Sequence, residues 1–343
     1  MTTTTSNDAA NATDTNTNRP TRVGVILMTY GSPTTLDDLP QYLSNVRGGR
    51  PLDPTEEAEL VAEFRRRYEL IGGSPLLPIT QAQAAALQDE LNRAHPDGPT
   101  FQVGAGMRFA PPYIPQVAAE VAQGADTLVG VIMSPQYSPI LMRGYVTTLR
   151  DAVAAMGRDD LKVAITEDWH MQPDFVAAVA DRVREALDAM PPDVRERTPI
   201  LLSAHSMPLR VVEGEPDYIA NLKQTAAEIA RLAGLPDDRW FFCYQSAGHT
   251  KEEWLSPDFA DMMPELRAAG FDHVLIAPVQ FLADHLEILY DIEIGAREQA
   301  EEHGVVFART QSLNTTPRFI AALAAVVEDT MRRAAPLTAS ASR

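Results

Sequence analysis

The stretch PILLSAHSMP, residues 199–208, starts as an apolar run and ends in polar residues. A short run dense in Ile and Leu is typical of a strand buried in a parallel sheet. His205 then falls at the carboxyl end of that strand, which is where α/β proteins usually bind their ligands. The stretch therefore predicts an α/β fold with a functional site at this strand end.

Further apolar runs, separated by helical patterns, share this character. Together they predict eight strands, at residues 23–29, 101–106, 127–133, 162–167, 199–203, 240–244, 273–278 and 305–308. Strands that alternate with helices form parallel sheets. Four of the predicted strands precede about residue 170 and four follow it. This division favours two doubly wound lobes, each with a four-stranded parallel sheet, over one eight-stranded barrel.

A second stretch, FLADHLEILYD at residues 281–291, follows a predicted strand and has the pattern of an opening helix. Asp284, Glu287 and Asp291 are spaced three and four residues apart, which puts three carboxylates on one helix face. A nearby cation would offset their mutual repulsion. Simpler interpretations stay open, because a single histidine at a strand end is more often structural and an acidic stripe is usually solvated. The two stretches together favour one shared cleft.

Composition excludes several classes of protein. The 343 residues are 45% apolar and carry a formal charge of −18, from 29 basic and 47 acidic residues. This balance argues against nucleic acid or an anionic membrane surface as a partner and favours a cationic substrate. No run approaches the roughly 18 apolar residues of a membrane span. Gly104 and Gly106 could begin a dinucleotide motif, but Phe109 stands at its third glycine position.

Several motifs occur in one order along the chain. They are MTYGSP at 28–33, VRGGR at 46–50, RYELIGGSPL at 67–76, SAHSMP at 203–208, GEPDY at 214–218, YQS at 244–246 and FLADHLEILYD at 281–291. In this order they resemble the ferrochelatases, enzymes that insert ferrous iron into a porphyrin. The resemblance covers roughly residues 22–335. It implies two Rossmann-like lobes with a porphyrin cleft between them.

The resemblance also assigns residues to the metal side of the porphyrin. It implies that His205 and Glu287 ligate the iron, that one of them takes up pyrrole protons, and that Asp291 continues an acidic path toward solvent. An imidazole suits either task, because its pKa lies near about 6.5 and it binds borderline metals such as ferrous iron. Some relatives carry a further acid where this chain has Gly295. An auxiliary metal site that depends on that acid is therefore in doubt.

The first lobe is expected to hold the porphyrin. By resemblance, Tyr30 is an axial ligand that faces the iron from the opposite side of the ring. Arginine suits the propionates, because its planar guanidinium can pair with both carboxylate oxygens. The positions that match porphyrin contacts in the family are Tyr30, Arg47, Arg67, Tyr68, Ser74 and Tyr145.

The strand count and the resemblance predict the domain organisation. Residues 22–168 and 317–335 form the first lobe, with a last helix at 317–333 that returns to it, and residues 169–316 form the second lobe. Residues 1–21 and 336–343 are predicted to be disordered tails. The single cysteine, Cys243, has the pattern of a small residue buried in a strand. One thiol cannot ligate an iron–sulfur cluster, so no cofactor beyond the ferrous iron substrate is expected.

The form of the first motif indicates which porphyrin is used. Tyr30 within YGSP is similar to the branch that metallates coproporphyrin III, a ring with four propionates, and residues 51–68 are rich in Glu and Arg. The prediction is a cytoplasmic enzyme of haem biosynthesis that makes Fe-coproporphyrin III with release of two protons. The preceding and following enzymes of that pathway are expected partners. Two alternatives stay open, a protoporphyrin IX ferrochelatase and a carrier that binds porphyrin or haem without inserting iron.

Overall fold

The computed structural model describes residues 21–248 and 252–336. It contains two parallel sheets with a cleft between them, and it confirms the predicted α/β class and all eight predicted strands. The tails predicted for residues 1–20 and 337–343 lie outside the described residues.

The first sheet contains the four strands from the first half of the chain. These are β1 (Arg22–Thr29), β2 (Thr100–Met107), β3 (Thr127–Ile132) and β4 (Lys162–Ile165), and all four are parallel in the order β2-β1-β3-β4. A fifth strand that the sequence did not predict, Ala335–Pro336, pairs antiparallel with Lys162 and Val163 of β4. Residue 336 therefore belongs to this sheet, and the predicted tail begins one residue too early.

Both faces of the first sheet are buried, and this explains its continuous apolar strands. Successive side chains of a strand point to opposite faces. Val25 and Leu27 of β1 join one apolar cluster, and Ile26 and Met28 join a second cluster on the other face. All four side chains are fully buried. A strand covered on both faces has no polar alternation, so it appears in the sequence as an unbroken apolar run.

The second sheet contains the remaining four strands. These are β5 (Ile200–His205), β6 (Trp240–Gln245), β7 (His273–Pro278) and β8 (Val306–Arg309), and all are parallel in the order β6-β5-β7-β8. β5 extends two residues beyond its predicted end, so His205 is the last residue of the strand. Cys243 on β6 is fully buried, as the sequence predicted.

Helices connect the strands and cover the sheets. Most of them have proline in the first turn, where its missing N–H is not needed. They are α1 (Leu39–Val46), α2 (Pro54–Leu70), α3 (Leu76–Ala94), α4 (Ile114–Val121), α5 (Pro139–Met156), α6 (Pro173–Asp188), α7 (Pro192–Arg195), α8 (Leu209–Val212), α9 (Pro216–Ala233), α10 (Phe259–Ala268), α11 (Arg297–Glu302) and α12 (Pro317–Met331). A 3₁₀-helix spans Leu36–Asp38, and a π-helix spans Glu287–Ala296. Within the described parts of the chain, no helix is long and apolar enough to cross a membrane.

The last helix ties the two lobes together. α12 returns from the second lobe and packs on α3 of the first lobe and on α6. Its Phe319 and Leu323 are fully buried in one apolar cluster that extends from Leu27 of β1 to Leu202 of β5. Hydrophobic burial of this continuous cluster fixes one lobe against the other.

We expect Phe319→Ala to destabilise the whole protein, because Phe319 lies where this shared cluster crosses between the lobes. Loss of a fully buried phenylalanine costs about 3 to 5 kcal/mol. Chemical denaturation followed by circular dichroism measures the change. Asp329→Ala is the matched control on the same helix, because Asp329 is exposed and pairs with exposed Arg332, and such pairs contribute little. Equal stability of the two variants would contradict the role given to α12.

Candidate active site

The cleft between the lobes has a volume of about 570 Å³. Loops that follow the carboxyl ends of β1, β3, β5 and β7 contribute to its walls, which is where parallel α/β sheets bind ligands. Six of the predicted site residues line it: Tyr30, Tyr68, Ser74, Tyr145, His205 and Glu287. The other three predicted residues, Arg47, Arg67 and Asp291, are not part of this lining. The structure therefore brings most of the predicted site into one cavity.

The carboxylate of Glu287 lies between two imidazole rings. Nε2 of His205 is 3.6 Å from Oε1 of Glu287, and Nε2 of His285 is 3.3 Å from Oε2. Each histidine turns its other ring nitrogen to a backbone carbonyl, that of Ser206 for His205 and that of Ala283, at 2.9 Å, for His285. These carbonyls orient both Nε2 atoms toward the same carboxylate.

His205, His285 and Glu287 shift one another's pKa values. Burial by itself lowers the pKa of His205, but the adjacent Glu287 carboxylate outweighs it and raises that pKa to about 9. Burial also disfavours a charged His285, and its hydrogen bond to Glu287 reverses this and raises the pKa. The Glu287 side chain is 35% exposed, toward the open cleft. Its partial burial by itself would raise the pKa of the carboxyl. The charges and hydrogen bonds of the two imidazoles outweigh burial and hold the pKa of Glu287 well below its usual range.

Two residues of this centre, His285 and Gln280, were not predicted from the sequence. His285 was a possible candidate, because it is an imidazole two residues before Glu287. Gln280 gave no such signal. Its Oε1 accepts a hydrogen bond from the backbone N–H of His205 at 3.0 Å, and its Nε2 donates to the hydroxyl of Tyr218 at 2.6 Å. Those partners are 75 and 62 residues away in the chain, so only the fold reveals that Gln280 fixes the end of β5.

The predicted alignment of three carboxylates on one helix face is wrong for Asp284. The helix begins as the π-helix Glu287–Ala296, and Asp284 lies in the loop before it. Its carboxylate accepts hydrogen bonds from Oγ of Ser312 at 2.8 Å and Nδ2 of Asn314 at 2.9 Å, and it lies 3.6 Å from Nη1 of Arg309. Partners within the protein thus occupy Asp284, and its role is to anchor the loop.

Asp291 follows Glu287 along the π-helix but does not reach the cleft. Its Oδ1 is 3.9 Å from Nη1 of Arg67. Burial raises the pKa of Asp291, and the negative charge of Glu287 adds to the effect. The other acid of this helix, Glu293, bonds instead to Arg309 at 2.5 Å. Over residues 21–248 and 252–336, no three His, Cys, Asp or Glu side chains are grouped so as to hold a metal ion.

Tyr30 enters the cleft from the first lobe, in the loop after β1. Its side chain is among the most exposed of the large hydrophobic residues, at 45% for the whole residue. The loop is fixed, because the carbonyl oxygen of Tyr30 accepts a hydrogen bond from the N–H of Phe109 at 3.0 Å and the two rings pack edge to face at 4.6 Å. Enclosure by the cleft raises the pKa of Tyr30 to about 12, with a further contribution from Glu287. Tyr30 is therefore a neutral phenol that faces a carboxylate of the opposite lobe.

The other predicted contacts in the lining have structural partners as well. Tyr68 and Tyr145 are buried, and burial raises the pKa of both hydroxyls. Tyr68 hydrogen-bonds the hydroxyl of Tyr42. Oγ of Ser74 accepts a hydrogen bond from the N–H of Leu76 at 3.3 Å, at the start of α3. These residues add hydroxyl groups to a mostly apolar wall.

The two predicted arginines differ in their surroundings. Arg47 follows α1, and its Nε and Nη1 are buried without a hydrogen-bond partner among the described residues. Arg67 of α2 is heavily engaged, because its Nε donates to Glu63 at 2.8 Å and its guanidinium lies 5.0 Å from the ring centre of Tyr290. A substrate carboxylate would accept hydrogen bonds from the unpartnered Nε and Nη1 of Arg47. At Arg67 it would have to compete with Glu63 for the guanidinium.

The fold is similar to that of SirB, which is a sirohydrochlorin chelatase, in two solved structures. SirB from Bacillus subtilis with Fe³⁺ superposes with a TM-score of 0.55 and 15% identity, over 90% of this chain and 96% of SirB. SirB from Bacillus subtilis subspecies spizizenii in complex with cobalt gives a TM-score of 0.52 at 14% identity, over 91% and 96%. Identity this low establishes the likeness of fold alone.

Sequence similarity establishes the family. The sequence profile described as Ferrochelatase matches residues 22–331. A ferrochelatase of Herpetosiphon aurantiacus is 39% identical over 308 residues, which cover 89% of this chain and 98% of that protein. A coproporphyrin III ferrochelatase of Geobacillus kaustophilus is 36% identical over 307 residues, which cover 89% and 94%. The chain belongs to the ferrochelatase family.

We expect the imidazole of His205 to titrate near pH 9 in the ligand-free protein, and Glu287→Gln to lower that midpoint, because burial alone disfavours the charged ring. Histidine-selective ¹³C NMR over a pH series measures both. Since the pKa is raised on folding, this proton stabilises the native state fully below pH about 6.5, and the stabilisation is lost as the pH rises through about 9. A midpoint that Glu287→Gln leaves unchanged would show that the carboxylate does not control His205.

Proposed function

We propose that this protein inserts ferrous iron into coproporphyrin III to give Fe-coproporphyrin III, with release of two protons. The observation that carries the proposal is the arrangement across the cleft. An imidazole and a carboxylate, His205 and Glu287, stand on the second lobe, and the phenol of Tyr30 stands on the first, in one apolar cavity of about 570 Å³. A flat ring between the lobes would have a metal donor set on one side and a phenol on the other.

The residues of the second lobe match the chemistry of insertion. Iron must lose its water ligands as it passes to four ring nitrogens, and two pyrrole protons must leave. Imidazole nitrogen and carboxylate oxygen are both ligands for ferrous iron. His205 must release its proton to bind iron, because a metal ligand is deprotonated. Once the iron has moved to the ring, this imidazole can accept a pyrrole proton, since the adjacent Glu287 carboxylate raises its pKa. We assign to this pair the delivery of iron and the uptake of the pyrrole protons.

Asp291 is assigned to the approach of iron rather than to its insertion. It lies on the same helix as Glu287, outside the cleft lining, and pairs with Arg67 at 3.9 Å. An acidic side chain behind the donor pair would attract a divalent cation toward it. The formal charge of −18 acts in the same direction over the whole surface.

The choice of coproporphyrin III rests on Tyr30 and on the placement of positive charge. Apolar side chains such as Leu43, Val46 and Leu141 line the cleft, whereas Arg47 and Arg67 lie outside its lining. A ring with carboxylates around its edge matches this distribution, because the macrocycle meets apolar walls and the propionates meet guanidinium groups. The similarity to coproporphyrin III ferrochelatases of Geobacillus kaustophilus and Bacillus subtilis, at 36% and 33% identity, supports the same choice.

Anaerobic insertion of ferrous iron tests the proposal. Coproporphyrin III and protoporphyrin IX are supplied side by side, and the loss of free-base fluorescence is followed. We expect wild type to convert coproporphyrin III, and His205→Ala to abolish conversion while its affinity for the metal-free ring stays within about tenfold, which is about 1.4 kcal/mol. Preference for protoporphyrin IX would overturn the substrate. Binding without insertion by wild type would favour a carrier, and normal turnover of His205→Ala would remove the proposed donor pair.

We expect Tyr30→Phe to fold and to insert iron but to change the absorption spectrum of bound iron porphyrin, because the variant lacks the phenol oxygen on the first-lobe side. The spectrum of the product complex measures this, with Tyr113→Phe as a control for the loss of a tyrosine hydroxyl outside the cleft lining. Identical spectra of wild type and Tyr30→Phe would show that Tyr30 does not ligate the iron.

A further inference from the structure

The guanidinium of Arg108 packs against aromatic rings near Tyr30. It directly follows β2, and its backbone N–H donates to the carbonyl oxygen of Thr29 at 2.9 Å. Its Cζ atom lies 4.7 Å from the ring centre of Phe109 and 5.2 Å from that of Tyr145. The guanidinium is therefore held between two aromatic rings on the first-lobe wall. Such stacking fixes the plane of an arginine while leaving its N–H groups available.

The guanidinium can take this position because residue 144 is a glycine. A Cβ atom at residue 144 would collide with Nη2 and Cζ of Arg108. Glycine is unfavourable inside a helix, and residue 144 lies within α5, so its presence there needs a packing reason. The close passage of the Arg108 guanidinium supplies that reason.

The position of Gly144 on α5 places the guanidinium next to the cleft. Leu141 and Tyr145 of α5 both line the cavity. Residues three apart lie side by side on a helix surface, so Gly144 is a neighbour of Leu141 on that flank. The backbone of Arg108 is bonded to the strand that leads directly to Tyr30. Arg108 itself is outside the lining, like Arg47 and Arg67, and its guanidinium lies against Tyr145 of the wall.

Among the described residues, Arg108 has no anionic partner. The described part of the chain provides its guanidinium with aromatic contacts, but with no hydrogen bond or ion pair. This sets it apart from Arg67, which is bonded to Glu63. Its charge does act on the cleft, because it opposes the rise in the pKa of Tyr30 that enclosure causes. A fixed guanidinium with N–H groups to spare is suited to a carboxylate that arrives with the substrate.

We propose that Arg108 binds a peripheral carboxylate of the tetrapyrrole and thereby selects rings with four carboxylates over rings with two. The assignment rests on the proposed function, since it concerns the substrate of the same cleft. Arg108 would be a third arginine for the substrate carboxylates, besides Arg47 and Arg67. It is on the side of the cleft formed by α5 and the loop after β2. An additional carboxylate on that side of the ring would pair with Arg108, whereas a ring with two carboxylates on the opposite side would not.

Binding of metal-free rings tests this without any insertion step. Coproporphyrin III, with four carboxylates, and mesoporphyrin IX, with two, are titrated by fluorescence against wild type and Arg108→Met, which keeps an apolar side chain on the aromatic rings. We expect the variant to bind coproporphyrin III about 10- to 100-fold more weakly, as expected for loss of a charged hydrogen bond. Its affinity for mesoporphyrin IX should stay within about threefold, since that ring has no carboxylate for Arg108.

Two further variants separate charge from packing. Arg143→Met removes one positive charge from the exposed side of α5, next to Gly144, and should leave both affinities unchanged. Gly144→Ala should fold, because the arginine side chain can swing away, but it should reproduce the selective loss of coproporphyrin III binding because it displaces the guanidinium.

The outcomes distinguish this inference from the proposed substrate. A preference of wild type for coproporphyrin III that survives in Arg108→Met overturns the inference alone. Equal weakening of both rings also overturns it, because Arg108 would then support the wall without selecting a carboxylate. Equal affinity of wild type for the two rings overturns the inference together with the proposed substrate.

Discussion

The site depends on one carboxylate, that of Glu287, and on the charges that balance it. A carboxylate enclosed by protein is unfavourable unless hydrogen bonds and positive charge compensate it. Glu287 has both, from the imidazoles of His205 and His285. The second lobe is arranged around this requirement, because His205 ends β5 and Glu287 starts the π-helix after β7. These strands are neighbours in the second sheet, so the sheet register itself brings the two side chains together.

The first lobe contacts this centre on two sides. Tyr30 faces it across the cleft, and α2 reaches the π-helix directly. Arg66 of α2 donates a hydrogen bond to the hydroxyl of Tyr290 at 2.5 Å, and Arg67 lies over the same ring and 3.9 Å from Asp291. The two lobes are therefore joined by polar contacts between α2 and the π-helix as well as by the hydrophobic packing of α12.

The distribution of charge explains how an acidic protein can bind an anionic ring and a cation in one place. The formal charge of −18 favours the approach of a divalent cation, and the acidic residues of the π-helix lie on the side of His205 and Glu287. The three arginines assigned to substrate carboxylates lie instead on the first lobe, at Arg47, Arg67 and Arg108. Screening limits each effect to about 10 Å, so both can operate on opposite sides of one cleft.

The sequence alone determined the strands, their division between two sheets, and the strand-end position of His205. These features are local, because a strand buried on both faces must be apolar throughout and polar residues can follow only where it ends. The family resemblance also supplied Tyr30, Tyr68, Ser74, Tyr145 and Glu287, all of which line the cleft. What only the tertiary structure decided depends on partners distant in the chain. Asp284 turns to Ser312 and Asn314, Gln280 fixes His205, and Gly144 makes room for Arg108. Helical spacing could not foresee these contacts, because the direction of a side chain in a loop is set by the groups that satisfy it, and those groups meet only after the chain has folded.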